Sequence, residues 1–429
     1  MQGRTSPGQF VFEPTPAEPI GSVLYDEHLK LTSKSRMSPF AGYVMPLWYS
    51  SIAAEHQAVR EAAGLFDCTH MGVLEVSGRQ AAPFLNAVAT NDIDRLKVGR
   101  AQYSYVLDAA GNVLDDIIVY RRDDTDFMVV VNAANEPKIK AYFDSLLHGR
   151  AVVDAADPAR KLEYAPNIRD MRHPARGKDC RVDLALQGPA SSKVLAKLST
   201  DPDTPARLAD MKGFAFFEDR LGGVECLIST TGYTGAGVSF ELFVHPEQAP
   251  RLWNRILEAG QSRGVLPCGL GARDSLRIEA GLPLYGHELA GPFNISPFEA
   301  GYGWAVKLDK EFFIGRTEMA RIAESYDMQV ARIELPATKG IRPVRPGDPV
   351  LSDRGACIGW ILSSAKADEK QIALVYMERD ESAVGSNVGV YYLARSPSQI
   401  QQGRCERMDK GQKAQADLTG TVVGRFAKF

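Results

Sequence analysis

The chain is poor in the features that would commit it to a membrane, a disulfide framework or a nucleotide. No run approaches the roughly 18 apolar residues that span a bilayer, so no membrane association is expected. Six cysteines (Cys68, Cys180, Cys226, Cys268, Cys357 and Cys405) are scattered over 429 residues with no CxxC pair. A disulfide framework is therefore not expected, and reduced thiols suit a cytoplasmic protein. Cys68 and His70 stand close in sequence but lack a second clustered pair, so no metal site is expected. No GxGxxG, P-loop or GxSxG motif is read in the chain, which argues against dinucleotide, nucleoside-triphosphate and α/β-hydrolase readings. The formal net charge of -3 gives nucleic acid or an anionic surface no electrostatic reason to bind. The N-terminal run MQGRTSPGQFVFEPTPAEPIG has no basic start followed by an apolar stretch, so it is no secretory signal. Its Pro, Gly and Glu content predicts a loosely held arm.

What is present is ordinary globular material: 45% apolar and 24% charged residues, in a chain long enough for two or three domains. VLEVSG (73–78), YSYVLD (103–108), LDDIIVYRR (114–122) and DFMVVVNA (126–133) predict strands. AAGN (109–112) between two of them predicts a hairpin turn, since Gly and Asn tolerate positive φ. Apolar spacing predicts helices over 52–63, 136–148 and within 246–264, the last with Leu252, Trp253, Ile256 and Leu257 on one side. Residues 155–180 are charged and proline-punctuated without a period, which predicts a surface connection. From Met328 onward, apolar runs separated by PGD and SDRG turns predict hairpins of a small barrel. Sheet pieces joined by tight turns and separated by helices point to α+β.

CGLGARDSLRIEAGLPLYG (268–286) begins with two glycines read as a flexible lead-in, continues as a helix, and stops at Gly281 and Pro283. Arg273 and Arg277 are four apart and share a helix face. Asp274 is placed to answer Arg277, which leaves Arg273 for a ligand. Asp115 and Asp116 sit inside a strand, where adjacent side chains alternate, so one carboxylate at most faces a given cavity. A solvated acidic pair near a turn is the plainer reading of them; a buried one needs a partner or a task.

Several segments in order resemble the glycine-cleavage T-protein (aminomethyltransferase) family, folate-dependent proteins that handle one-carbon units. They are MPLWYSSIAAEHQAVREAAGLFDCTHMG (45–72), AQYSYVLDAAGNVLDDIIVY (101–120), LALQGPA (184–190), STTGYTGAG (229–237), CGLGARDSLRIEAGLPLYG and ISPFEAGYGWAV (295–306). The likeness covers roughly residues 22–320 and fades beyond. It implies three domains around a central folate cleft: 1–54 with 156–325 as a discontinuous folate-binding α+β domain, 55–155 carrying the catalytic aspartate, and 326–429 as a β-barrel-like domain. It implies tetrahydrofolate as acceptor, and carries Asp115 over as the catalytic residue beside the reactive folate nitrogen, with Asp116 structural. Glu241 is implied at the pterin edge, Arg273 as the folate arginine, and Met71, Tyr103, Asn132 and Tyr233 as further folate contacts. Read alone, Glu241 is an ordinary strand-exposed glutamate, and Tyr103, Asn132 and above all Met71 fit core or strand filling. Tyr285, His287 and Glu288 are read either as cleft lining or as helix-end residues.

The implied reaction moves a one-carbon unit from the aminomethyl-lipoyl arm of an H-protein to tetrahydrofolate with release of ammonia. Two departures leave alternatives open. Trp48 stands where the family often has His in MPxHY, and the loop LSSAKADEK (362–370) replaces the family's TSGxxSPTL. These motivate a folate-dependent O- or S-demethylase with a small-molecule methyl donor, and beside it a non-enzymatic folate-binding regulatory or repair protein. GAGVSF, one residue longer than the family's usual spacing, bears on the register of Glu241.

Overall fold

The computed structural model describes residues 8–367, 369–427 and 429. The first seven residues of the expected N-terminal arm, and Asp368 of the 362–370 segment, lie outside the described residues. The chain falls into two compact units, Met1–Arg273 with Trp304–Ala320, and Asp274–Gly303 with Arg321–Phe429.

Among the described residues the first unit holds three sheets: a small one of Ile20–Gly21, Tyr43–Pro46 and Met37–Phe40, and two larger ones that position the site. Along the chain come α1 (Ile52–Glu61), β1 (Ala63–Asp67), β2 (Gly72–Ser77), α2 (Ala81–Val88), β3 (Arg100–Leu107), β4 (Val113–Asp123), β5 (Asp126–Val131) and α3 (Glu136–Leu147). Then follow β6 (Asn167–Asp170), β7 (Val182–Gln187), α4 (Ser191–Leu198), β8 (Phe216–Leu221), β9 (Val224–Ser229), β10 (Ser239–Val244), α5 (Ala249–Gly260), β11 (Val265–Cys268) and α6 (Leu270–Ala280). One sheet has five strands in the order β3-β4-β5-β2-β6; the other has six in the order β8-β9-β10-β7-β1-β11. In these two sheets every pairing is antiparallel except β11 with β1.

Each sheet buries both faces, in keeping with its apolar strands. The five-stranded sheet packs Ile117, Val119 and Val129 against Phe84 and Leu85 of α2 and Ile139, Tyr142 and Phe143 of α3. The six-stranded sheet packs Leu65, Leu184 and Leu242 against Val194 of α4 and Leu252, Trp253 and Ile256 of α5. Their remaining faces meet: Ala101, Tyr120, Met128 and Val130 of one touch the same cluster as Leu227 and Phe243 of the other. The 109–112 turn closes as expected, with Gly111 at φ +80° and its N–H donating to the Asp108 carbonyl at 3.0 Å.

In the second unit, six strands close into a barrel: Met328–Pro336, Lys370–Glu378, Cys357–Ala367, Pro349–Leu351, Asn387–Val390 and Leu418–Val423, in that spatial order. The fold class is α+β with a C-terminal barrel, as the sequence predicts. Here too lies Arg277, which is buried and bonded to Glu288 at 2.6 Å, Asp274 at 2.8 Å and the Ser363 hydroxyl at 3.0 Å. Glu288 is thus a buried counter-ion, which settles its role between the two readings above.

Several expectations are corrected. The arm is anchored at Phe10, whose N–H donates to Asp108 Oδ2 at 3.1 Å and whose ring packs on Tyr142, while residues 13–18 are exposed. Residues 155–180 are not all connection, because β6 adds an edge strand to β2. Strand pairing also crosses the expected domain boundaries. β1, after residue 55, joins the sheet of β7–β11, and β6, after residue 156, joins the sheet of β2–β5. The 362–370 segment is no loop; it is the end of one barrel strand and the start of the next. Gly269 and Gly271 are not a flexible lead-in. A Cβ on Gly269 would stand 2.6 Å from the Leu47 backbone, and Gly271 N–H donates to the Leu47 carbonyl at 2.9 Å. GQSRG (260–264) has the spacing of a hydrolase nucleophile elbow, but it joins a helix to a strand, the reverse of that turn.

Candidate functional site

Met71, Tyr103, Asp115, Asn132, Tyr233, Glu241 and Arg273 all lie in the first unit. Asp115 and Asp116 sit near the start of β4, beside a bulge: Val106 faces Asp115 but Leu107 faces Val113, so Leu114 is the extra residue. Beyond the bulge the strand alternates. Ile117 and Val119 enter the helix-covered core. Ile118 and Tyr120 turn to the face between the sheets, and Asp116 shares their parity.

Asp115 is 0% exposed. Its Oδ2 accepts from Asn132 N at 2.9 Å, and its Oδ1 accepts from Asn132 Nδ2 at 2.8 Å and from Asn135 Nδ2. Burial, then the charge of Asp116, pushes its carboxyl well above the usual carboxylate range. Asp116 is partly exposed. Its Oδ2 accepts from the Tyr103 hydroxyl at 3.0 Å and its Oδ1 from Asn132 Nδ2 at 2.8 Å. Burial raises its carboxyl too, against the hydrogen bonds from Tyr103 and Asn132. Asp116 lies on the face between the sheets, partly exposed beside Tyr103, and Asp115, the residue expected to meet a ligand, stands buried behind it. Tyr103 in turn lies against Trp304, with ring centroids 5.9 Å apart, and Trp304 is 52% exposed.

Glu241 lies on β10 opposite Ala185 and Ser229 and is 8% exposed, so it is no ordinary strand-surface glutamate. Its Oε2 accepts from the hydroxyls of Thr231 and Tyr120, the latter at 3.3 Å. Burial raises its pKa, with Thr231 and Arg273 acting against that rise. Arg273, in the first turn of α6, donates to Cys68 Sγ at 3.4 Å and its guanidinium lies 5.1 Å from the Tyr233 ring centre. Met71 is half-buried beside the inter-sheet cluster. The structure thus gathers Glu241, Arg273 and Tyr233 in one place, and Asp116, Tyr103 and Asn132 in another.

These groups are held from behind. Asp67, ending β1, accepts from His28 Nε2 at 2.7 Å, Ser22 Oγ at 2.6 Å and Thr69 N at 2.8 Å. His28 Nδ1 meets the Tyr49 hydroxyl at 2.8 Å. Burial opposes the Asp67 charge, but the bonds from His28 and Ser22 bring its pKa down to about 2. Glu55 of α1 accepts from Tyr49 N, Ser50 N and Gly269 N at 2.7, 2.9 and 2.8 Å. This ties the MPLWYSS turn to the start of α6, and so fixes Arg273. Trp48 is half-buried in that turn, its carbonyl accepting from Thr32 Oγ1 at 3.2 Å.

Comparison with known proteins decides the kinship. The GCVT N-terminal domain family matches residues 24–310. The aminomethyltransferase of Symbiobacterium thermophilum is 41% identical over 384 residues, covering 87% of this chain and 93% of that protein. The chain belongs to the glycine-cleavage T-protein family. An aminomethyltransferase of Streptomyces coelicolor is 40% identical over 359 residues, covering 82% of this chain and 89% of its own. Among solved structures, the glycine cleavage system aminomethyltransferase T of Bartonella henselae superposes with a TM-score of 0.72 at 27% identity. That match covers 94% of this chain and 96% of the other. As a family member the chain is a one-carbon transferase.

Reading the sequence passed over Tyr120, Thr231, Asn135, Trp304 and Asp116 as site residues. Alternation along β4 was the available signal for Asp116 and Tyr120, which are four apart. Thr231 and Asn135 become visible only through contacts made by folding.

Proposed function

We propose that the chain transfers a one-carbon unit from the aminomethylated lipoyl arm of an H-protein to tetrahydrofolate, releasing ammonia. The observation that carries this reading is β4. One face of this strand presents Asp116, bonded to Tyr103, and four residues on Tyr120, bonded to Glu241. The separation along the strand is roughly 13 Å, so a single extended ligand has an acidic group at each end of its bed.

The residues fit a reduced folate by their donor set. Glu241 Oε1 accepts no hydrogen bond among the described residues, and Oε2 takes only hydroxyl donors; an edge of adjacent N–H groups suits such a carboxylate. Tyr233 and Arg273 offer a flat face and a fixed positive charge, and Tyr103 with Trp304 offers aromatic surface near the acid. Tetrahydrofolate supplies the nitrogens that receive the carbon. Burial raises the Asp116 carboxyl above its ordinary value, which favours it as the group that exchanges a proton with the amine in the transfer. Asn132 bridges both aspartates and fixes their orientation, and the charge of Asp116 helps to raise Asp115 behind it. Positioning and electrostatics thus supply the rate. The six free thiols suit a reducing compartment, and we place the protein in the cytoplasm.

The test is formation of ammonia and methylene-tetrahydrofolate from aminomethylated H-protein. Asp116→Asn should lose at least about 100-fold in kcat while still binding tetrahydrofolate. Absence of turnover in the unaltered protein despite folate binding would sink the reading. Equal rates for Asp116→Asn and the parent would sink the role of Asp116.

A further inference from the structure

Asp183 takes no part in the scheme above, yet it is placed among its groups. It lies in the middle of the six-stranded sheet, is 2% exposed, and its Oδ1 is buried without a hydrogen-bond partner among the described residues. On β7 it stands opposite Phe243, while Ala185 stands opposite Glu241. Asp183 and Glu241 are therefore diagonal neighbours on one face of the sheet, roughly 7 Å apart at Cβ. The charged and titratable groups that face Asp183 come from every side. They are Glu241 on β10, Arg273 on α6, Cys68 after β1 and Tyr120 on β4, with the charge of Asp67 acting from the other face of the sheet. Arg273 is the only cation in that set, and it is shared with Glu241.

Two carboxylates beside one guanidinium in a dry place leave a net negative charge that the surroundings do not answer. We infer that Asp183 is a positioning residue of the ligand-edge site, sharing one proton with Glu241 so that Glu241 is free to accept from the ligand while the pocket stays neutral. The direction of the electrostatics agrees: burial, then the charge of Glu241, drives the Asp183 carboxyl well above its ordinary range. A ligand with an amino-lactam edge, presenting adjacent N–H donors, needs Glu241 ionised. In the bound state the shared proton therefore rests on Asp183. The ligand also expels water and makes charge on Asp183 costlier still. Binding above the pH at which the free pair loses its proton must then take that proton up from solvent.

This rests on the folate reading for its ligand but not for its proton. Tetrahydrofolate binding is measured by calorimetry from pH 6 to 9 in buffers of different ionisation enthalpy, for the full chain, Asp183→Asn and Asp183→Leu. In the unaltered protein, uptake should rise toward one proton per ligand, and affinity should fall up to tenfold per pH unit at the alkaline end. In both variants the uptake should vanish, with affinity at pH 7 for Asp183→Asn within about threefold of the parent. Equal proton uptake in parent and variants overturns the inference. Absence of binding by the parent at any pH overturns the folate reading instead, and the ligand-free protein then decides. A carboxyl protonated in the fold and ionised when unfolded destabilises the native state as pH rises. The melting temperature of Asp183→Asn, and of Asp183→Leu should the amide fail to fold, must gain on the parent from pH 6 to 9. Parallel curves overturn the inference without any ligand.

Discussion

His70 is held neutral by its surroundings. It is buried, its Nδ1 has no hydrogen-bond partner among the described residues, and the rings of Phe40 and Tyr43 lie against it. Burial, with Arg273 and Arg172 nearby, pushes its pKa down to about 4, against the pull of Asp67. The unfolded chain protonates this imidazole near 6.5 and the folded chain does not, so its stability contribution is whole above 6.5 and is lost as pH falls toward 4. Urea unfolding at pH 7.5 and pH 5 should show the parent losing about 2 kcal/mol more than His70→Gln; equal losses would remove His70 from the acid limb. Residue roles of this kind were only partly legible in sequence. Arg277 with Asp274 was readable from helix spacing, but Glu288 and Ser363 reach Arg277 only through folding. Asp115 and Asp116 were recognisable as a pair, yet which of them faces outward depends on strand parity beyond a bulge at Leu114.

At the scale of elements, most strands and helices were legible because their apolar residues recur with the right period. The β4–β5 hairpin and α5 are examples. β6 was not, since NIRD is four residues long and half charged, and only its pairing with β2 makes it a strand. The lead-in to α6 was misread for a different reason: glycine signals both freedom and close approach, and here the backbones of Gly269 and Leu47 touch. Gly269→Ala would set a methyl 2.6 Å from backbone atoms of Leu47, which cannot yield as a side chain can. The variant should lose about 1–3 kcal/mol in denaturant unfolding. It should also weaken tetrahydrofolate binding more than Lys193→Ala on α4, because Arg273 rides on that turn. Undiminished stability would mean that the contact is slack.

Over the whole molecule, the six thiols divide sharply: five are buried and Cys405 is exposed, with no disulfide among them. A thiol reagent should therefore find one rapidly reacting group in the native protein and six after unfolding. Two or more fast thiols in the native protein would mean that the packing is looser than the structure shows. The α+β class and the barrel were visible before folding was considered, because they follow from local pattern. The domain boundaries were not, because β1 and β6 pair with strands far away in sequence. β4 connects these scales. On the function proposed above, Asp116 and Tyr120 are separated by a whole number of residues, so the length of ligand that the strand would accept is counted, not tuned. Inserting one residue between Asp116 and Tyr120 would turn one end to the wrong face, and inserting two would keep the face but lengthen the bed by roughly 6.6 Å. A strand used in this way is a ruler with divisions, and a relative that handles a longer or shorter ligand must change it in pairs.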